Sequence, residues 1–273
     1  MKDLRGANAI LTGGSRGIGP YIGRALAREG VNVALAARST HALTQAAQVL
    51  TAFGVRACAI PTDLSDPAAR VALLERAEFE LGPIDILINN ASIAQAVPFA
   101  CQTFTQIVQM IETNLVAPLM LTRLIVPKLL QRGRGHVVTI GSLNGKKGAP
   151  FFATHSATKA ALIEWTAALR NELHGTGVSA SVVCPGLVSK AGWWATRKQL
   201  VPRLLGASPP ERVAAAVVGA IRHDWLEVMV NRTPVRPALA LNALAPQLMS
   251  ALVRRLGYVE FVRRISNDQL PEE

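Results

Sequence analysis

Continuous apolar runs of strand length alternate with amphipathic runs of helix length along this 273-residue chain. Ala7–Thr12, Val31–Ala37, Val55–Ile60, Ile84–Asn89, His136–Ile140 and Val178–Cys184 read as strands, and Gly17–Glu29 and Thr40–Phe53 read as helices between the first three. A strand with one wet face alternates apolar and polar positions. These runs are Val, Ile, Leu and Ala almost throughout, which fits burial on both faces in a parallel sheet covered by helices. Repeated strand–helix–strand units imply right-handed crossovers and a doubly wound sheet. No internal repeat or low-complexity linker divides the chain, and a large sheet of this kind holds residues 1–273 as one domain. The expected fold class is α/β.

The first strand-to-helix junction reads Ile10-Leu11-Thr12-Gly13-Gly14-Ser15-Arg16-Gly17-Ile18-Gly19. A tight turn there needs positive φ, and a side chain would block the approach of a pyrophosphate to the backbone. The following helix points unpaired N–H groups and its positive dipole end at the phosphates. A glycine triplet alone is weak, but one set between a buried strand and a helix specifies a Rossmann-type dinucleotide site. The second strand ends Ala36-Ala37-Arg38-Ser39, without the acid that holds the ribose hydroxyls of NAD. Arg38, with Arg16 from the glycine turn, would instead clamp a 2′-phosphate, so NADP(H) is favoured over NAD(H).

Over residues 4 to about 230 the motifs resemble the short-chain dehydrogenase/reductase family. Thr12 to Gly19 is similar to its TGxxxGxG turn, Asp63-Leu64 to its adenine-contacting pair, and Asn89-Asn90-Ala91-Ser92 to its NNAG, with serine replacing glycine. Asn114 takes the place of the helix asparagine that organises a water relay, Ser142 that of the catalytic serine, and Pro185-Gly186 that of the nicotinamide-side loop. The resemblance implies cofactor contacts from Gly13, Ser15, Arg16, Gly17, Ile18, Gly19, Arg38, Asp63, Leu64, Asn90, Ala91, Lys159, Pro185, Gly186 and Val188. It also implies a catalytic set of Asn114, Ser142, a tyrosine and Lys159. In the YxxxK segment, however, this chain reads His155-Ser156-Ala157-Thr158-Lys159, so His155 stands in the tyrosine's place. An i, i+4 pair shares a helix face, and a nearby ammonium should depress the imidazole pKa and leave a neutral base. Lys190 replaces the threonine common after the Pro-Gly loop.

Three functions follow from these residues. The first is NADP(H)-dependent hydride transfer to or from the carbonyl or alcohol of an apolar or ring-containing substrate, with Phe152, Trp193 and Trp194 on the substrate side. The second is a non-redox lyase, isomerase or cyclase with His155 as acid–base. The third is a catalytically silent dinucleotide-binding protein. The resemblance implies a small-molecule substrate and a homodimer or homotetramer built on helices near Thr105–Leu130 and Thr154–Leu173. Lys146 and Lys147 follow Ser142, as a solvated pair or, less favoured, as contacts to an anionic tail.

Composition narrows the partners. The formal charge is +11, but no zinc-finger, RNP or basic-zipper pattern accompanies it, so a basic surface plus a phosphate-rich cofactor is expected rather than nucleic acid. Cys58, Cys101 and Cys184 give no disulfide framework and no ligand spacing, so a reducing compartment and no metal are expected. The N-terminus lacks a signal-peptide run and no stretch approaches the roughly 20 apolar residues of a membrane span, which reads as a cytoplasmic protein. From about residue 231 to 273 an Arg-bearing, Pro-punctuated extension reads as amphipathic helices packed on the domain or a partner subunit, with peripheral membrane contact the less favoured reading.

Overall fold

A computed structural model describes residues 1–191 and 206–267. Its strands are β1 (Asn8–Thr12), β2 (Asn32–Ala37), β3 (Ala57–Pro61), β4 (Ile86–Asn89), β5 (Gly135–Ile140), β6 (Val178–Pro185), β7 (Leu187–Val188), β8 (Ala207–Ser208) and β9 (Glu227–Val230). Its helices are α1 (Gly19–Arg28), α2 (Thr40–Thr51), α3 (Pro67–Leu81), α4 (Phe104–Ile111), α5 (Ala117–Arg132), α6 (Leu143–Lys146), α7 (Ala153–Glu172), α8 (Pro210–His223), α9 (Arg236–Leu244), α10 (Pro246–Arg255) and α11 (Tyr258–Asn267). Seven strands form one parallel sheet in the order β3-β2-β1-β4-β5-β6-β9, and β7 pairs with β8 apart from it. The order reverses direction at β1, whose Ile10 sits between Ala34 of β2 and Leu87 of β4. Such a switch point opens the crevice where doubly wound sheets bind ligands.

Successive side chains of a strand point to opposite faces, and both faces here are packed. Ala9 and Leu11 join Ile22, Leu26, Leu43, Leu50, Val213 and Val217 from α1, α2 and α8. Ile10, between them, joins Leu73, Leu74, Ala77, Leu121, Ile125 and Leu129 from α3 and α5. Each fully buried leucine contributes about 1.5–3 kcal/mol of transfer free energy, which is why the strands carry no polar alternation.

Three helix starts among the described residues, those of α3, α4 and α6, are set by side-chain caps. Asp66 accepts from the Ala68 amide at 2.8 Å to open α3, and Thr103 and Gln106 form a reciprocal capping box on α4. A π-helical turn, Glu112–Val116, joins α4 to α5. The joined stretch Phe104–Arg132 is long and apolar enough, by length and composition, to cross a membrane, although no continuous apolar run in the sequence reaches that length. Its Met110, Asn114, Leu121, Ile125 and Leu129 are buried in the domain, as in a core helix.

The extension divides. On α11, Val262 and Ile265 are buried, as an extension packed on the domain requires. Helices α9 and α10 bury no residue at all, which departs from that expectation.

Candidate active site

The turn between β1 and α1 has the geometry its glycines predict. Gly13 and Gly17 take φ of +66° and +64°. A Cβ on Gly13 would lie 2.9 Å from the Ala91 Cα, and one on Gly19 would lie 2.1 Å from the Gly13 oxygen. The helix proper begins at Gly19 rather than Gly17, because Ile18 is its cap. Thr12 locks the turn to β4: its hydroxyl accepts from the Asn90 and Ala91 amides at 2.9 and 3.0 Å and donates to the Ile88 carbonyl at 3.2 Å. The Asn90 side-chain Nδ2 returns hydrogen bonds to the Thr12 and Gly13 carbonyls at 2.8 and 3.2 Å. The result is a backbone cradle at the switch point that a Cβ would fill, which suits a pyrophosphate.

Ser15 and Ile18 are half-buried around this cradle and Arg16 is exposed beside it. Arg38 is exposed at the end of β2, and Asp63 lies near enough to respond to its charge. Hydrogen bonds from the Ser65 side chain and amide hold the Asp63 carboxyl below its usual pKa, with the Arg38 guanidinium adding to them. Leu64 differs from its neighbour: its side chain packs into the core, so only its backbone is free to meet an adenine. Pro185 and Val188 are buried and Gly186 half-buried, with the Gly186 amide bonded to the Val230 carbonyl at 2.9 Å. A Cβ on Gly186 would lie 2.4 Å from the Asn231 Oδ1, which explains the glycine. Lys190 takes φ of +58°, in the left-handed region, and is exposed.

Asn114 and His155 meet at Ile93 in the segment after β4, and Lys159, one turn further along α7, reaches the end of β5. Asn114, wholly buried in the π turn, accepts from the Ile93 amide at 2.8 Å and donates to the Ile93 carbonyl at 2.8 Å. Its Oδ1 also accepts from the Ser92 hydroxyl at 3.2 Å, and its Nδ2 reaches the Thr158 Oγ1 at 3.4 Å. The His155 Nδ1 lies 3.3 Å from the same Ile93 carbonyl. A carbonyl only accepts, so Nδ1 carries the proton in this long hydrogen bond and Nε2 is left as the acceptor. Burial, helped by the Lys159 ammonium and opposed by the Ile93 bond, pushes the imidazole pKa down to about 4. The Phe152 ring meets His155 edge-on at 6.2 Å.

Lys159 is 3% exposed and donates to the Ile140 carbonyl at the end of β5, at 2.8 Å. It makes no ion pair among the described residues, and burial lowers its pKa to about 8. Ser142, separated from the end of β5 by Gly141, caps α6, its Oγ accepting from the Asn144 amide at 3.1 Å. A Cβ on Gly145 would lie 2.7 Å from the Lys159 carbonyl carbon, so this glycine lets α6 press against α7 beside the lysine. Gly145 is a position that the motifs do not flag. Cys184 is buried nearby with its thiol pushed up to about 12, mainly by burial, so it is inert.

Other side chains fall differently from their sequence readings. Trp193 and Trp194 lie outside the described residues. Lys146 and Lys147 are not a free pair: Lys146 pairs with Glu227 at 2.5 Å and Lys147 donates to the Asn242 Oδ1 at 2.7 Å. Phe152 is buried with Ala96, Ala149 and Val262, and Phe151, Tyr258 and Phe261 pack around them. One turn of α11 therefore walls the region beside His155, a contribution no local motif reveals. Phe151 takes φ of +64° to reach that cluster.

The matching family model is the short chain dehydrogenase, over residues 7–200, and the chain belongs to this family of oxidoreductases. Among its relatives, the ketoacyl reductase HetN of Nostoc sp. (strain PCC 7120) is 42% identical over 277 residues, spanning all of this chain and 96% of that protein. The 3-oxoacyl-[acyl-carrier-protein] reductase FabG of Escherichia coli K12 is 32% identical over 68% of this chain and 75% of its own length. A metagenomic short-chain oxidoreductase, solved in complex with NADP, superposes with a TM-score of 0.73 at 29% identity, covering 85% of this chain and all of the other.

Proposed function

We propose that this chain is an NADP(H)-dependent oxidoreductase acting on the carbonyl or alcohol of an apolar or ring-containing substrate, with His155 in the tyrosine's place. The observation that carries this reading is the buried pair on α7. Lys159 is fixed by a strand carbonyl with no acidic partner among the described residues, and the imidazole one turn earlier has its tautomer set by Ile93. The two ketoacyl reductases among the relatives support a ketone-bearing acyl substrate. The NADP bound to the structural neighbour, the exposed Arg16 and Arg38, and the lack of an acid at the end of β2 support NADP(H).

The cradle fits the cofactor. Amides of Gly13, Ser15, Gly17, Ile18 and Gly19 would hold the pyrophosphate, Arg16 and Arg38 the 2′-phosphate, and Asp63 with the Leu64 backbone the adenine. Asn90, Ala91, Pro185, Gly186 and Val188 would line the nicotinamide side, and Lys159 would grip its ribose. When bound, the nicotinamide supplies or accepts the hydride. Ser142 Oγ would hydrogen-bond the substrate oxygen. In alcohol oxidation, the unprotonated Nε2 of His155 takes the hydroxyl proton as hydride leaves the carbon. Reduction runs the same path backward: His155 first takes up a proton from solvent or the Lys159 ammonium and then delivers it from Nε2 to the new alkoxide, so the low imidazole pKa slows this direction.

The test is calorimetry with NADPH and NADH, followed by assays on a panel of secondary alcohols and β-ketoacyl thioesters. Tight NADPH binding with turnover that falls at least about 100-fold in His155→Ala is expected. Stoichiometric binding with no hydride transfer to or from any member of the panel refutes the redox reading. The depressed imidazole pKa also favours a second reading, proton abstraction beside a carbonyl without hydride transfer. That reading is distinguished by turnover that persists without cofactor.

A further inference from the structure

The two helices that bury nothing also carry charge of one sign, with Arg236, Arg254 and Arg255 and no acid. On α10 and its flanks, Leu244, Leu248, Leu252 and Leu256 are 87%, 60%, 39% and 59% exposed. Spacing by four aligns Leu248, Leu252 and Leu256 along one side of the helix, while Met249 and Val253 turn partly inward. Residues 231–267 contain six arginines and one acid, Glu260. Arg263 and Arg264 already pair with that glutamate. Arg232, Arg236, Arg254 and Arg255 are exposed and have no acidic partner among the described residues, and Arg254 bonds only the Ser250 hydroxyl. Arg255 lies one helical step from the leucine ridge, at the end of α10.

We propose that α9 and α10 dock this protein on an anionic lipid bilayer, with the leucine ridge entering the acyl boundary and the arginines meeting headgroup phosphates. A helix with an apolar ridge, flanking arginines and no acid is the chemistry of interfacial binding. Arginine beside the ridge is compatible with this, because its stem lies along apolar surface while its head stays at the phosphates. The competing occupant, a second copy of the same face, is disfavoured by charge: a two-fold contact would bring two arginine-bearing faces together, with only Glu260 of each copy, already paired within its own chain, to offset them. The docking depends on no assumption about the reaction.

The experiment is co-sedimentation of the full-length protein with extruded vesicles of phosphatidylcholine alone or mixed with phosphatidylglycerol. The protein should partition at least about tenfold better onto the anionic vesicles, and rising salt should release it. The R254Q/R255Q variant should lose about fivefold per arginine. The L248D/L252D variant should stay in the supernatant while keeping the wild-type circular dichroism melt and elution volume. Wild-type protein left in the supernatant with anionic vesicles overturns the proposal. So does L248D/L252D sedimenting like wild type, or dissociating into a smaller species in light scattering, which would make the ridge a subunit contact.

Discussion

Two buried imidazoles, His136 and His155, hold opposite tautomers for reasons visible at the level of single atoms. His136 Nε2 lies 2.8 Å from Ser181 Oγ, whose own proton goes to the Trp225 carbonyl, so Nε2 is a donor there. His155 donates instead from Nδ1. Burial is the first cause in lowering both, to about 3 and about 4 from the ordinary histidine value of 6.5. The unfolded chain therefore binds more protons than the folded one between pH 6.5 and those values, and stability rises with pH across that window. The two groups together should remove several kcal/mol, at most roughly 3 each, as pH falls from 6.5 toward 4. Denaturant melts across that range check this, and His136→Gln, which keeps a donor toward Ser181, should shrink the acid loss by about half. Lys159, lowered to about 8, has the same sign in an alkaline window: stability rises between pH 8 and the ordinary lysine value of 10.5. On the proposed mechanism, His155→Tyr restores a phenol able to donate a proton, and NADPH-dependent ketone reduction should rise at least about tenfold. An unchanged rate at 340 nm would remove that position from the proton path.

At the scale of elements, the cradle depends on how β1, β4, α6 and α7 are pinned to one another. Thr12 accepts from the Asn90 and Ala91 amides and donates to the Ile88 carbonyl; in Thr12→Val the Asn90 amide keeps the Ile88 carbonyl at 3.1 Å, and the Ala91 amide loses its acceptor. A loss of about 1–3 kcal/mol in unfolding free energy is expected, with weaker cofactor binding alongside. Gly145→Ala tests the other seam. Its methyl would meet the backbone between Lys159 and Ala160 at 2.7–2.8 Å, so α6 must move away from α7 and carry Ser142 with it. Turnover should fall more than about tenfold while the cofactor dissociation constant stays within about twofold, because the cradle at β1 is untouched. The sequence was most legible here. Six of the seven sheet strands read directly, since burial on both faces leaves continuous apolar runs. The seventh, Glu227–Val230, is four residues long and only Val230 is fully buried, so it gives no such run. The π turn that places Asn114 has no signature of its own, although the asparagine itself was visible by resemblance.

For the whole molecule, local signals end where distant segments meet. The sequence singles out Phe152 as an expected substrate-side residue, but its covering by Tyr258, Phe261 and Val262 joins positions about a hundred residues apart, and no motif records that. The division of the extension into a packed α11 and an uncovered α9–α10 was equally invisible, because both parts have the same amphipathic, arginine-bearing composition. Phe99, Phe104, Val108 and Ile111 stand exposed beside α7, an apolar face suited to the helix-mediated assembly common in the family. On that basis Phe104→Asp with Val108→Asp should lower the mass seen in light scattering to that of one chain. Arg16→Ala with Arg38→Ala should weaken NADPH at least about 100-fold and leave NADH within about threefold, measured by calorimetry. The placement of α11 also has a bearing on synthesis. The β1–α1 turn and the Asn90 and Ala91 groups that lock it are translated by residue 91, whereas the wall beside His155 waits for residues 258–265, about 170 positions later. A nascent chain would thus carry the pyrophosphate cradle well before the wall beside His155 could form.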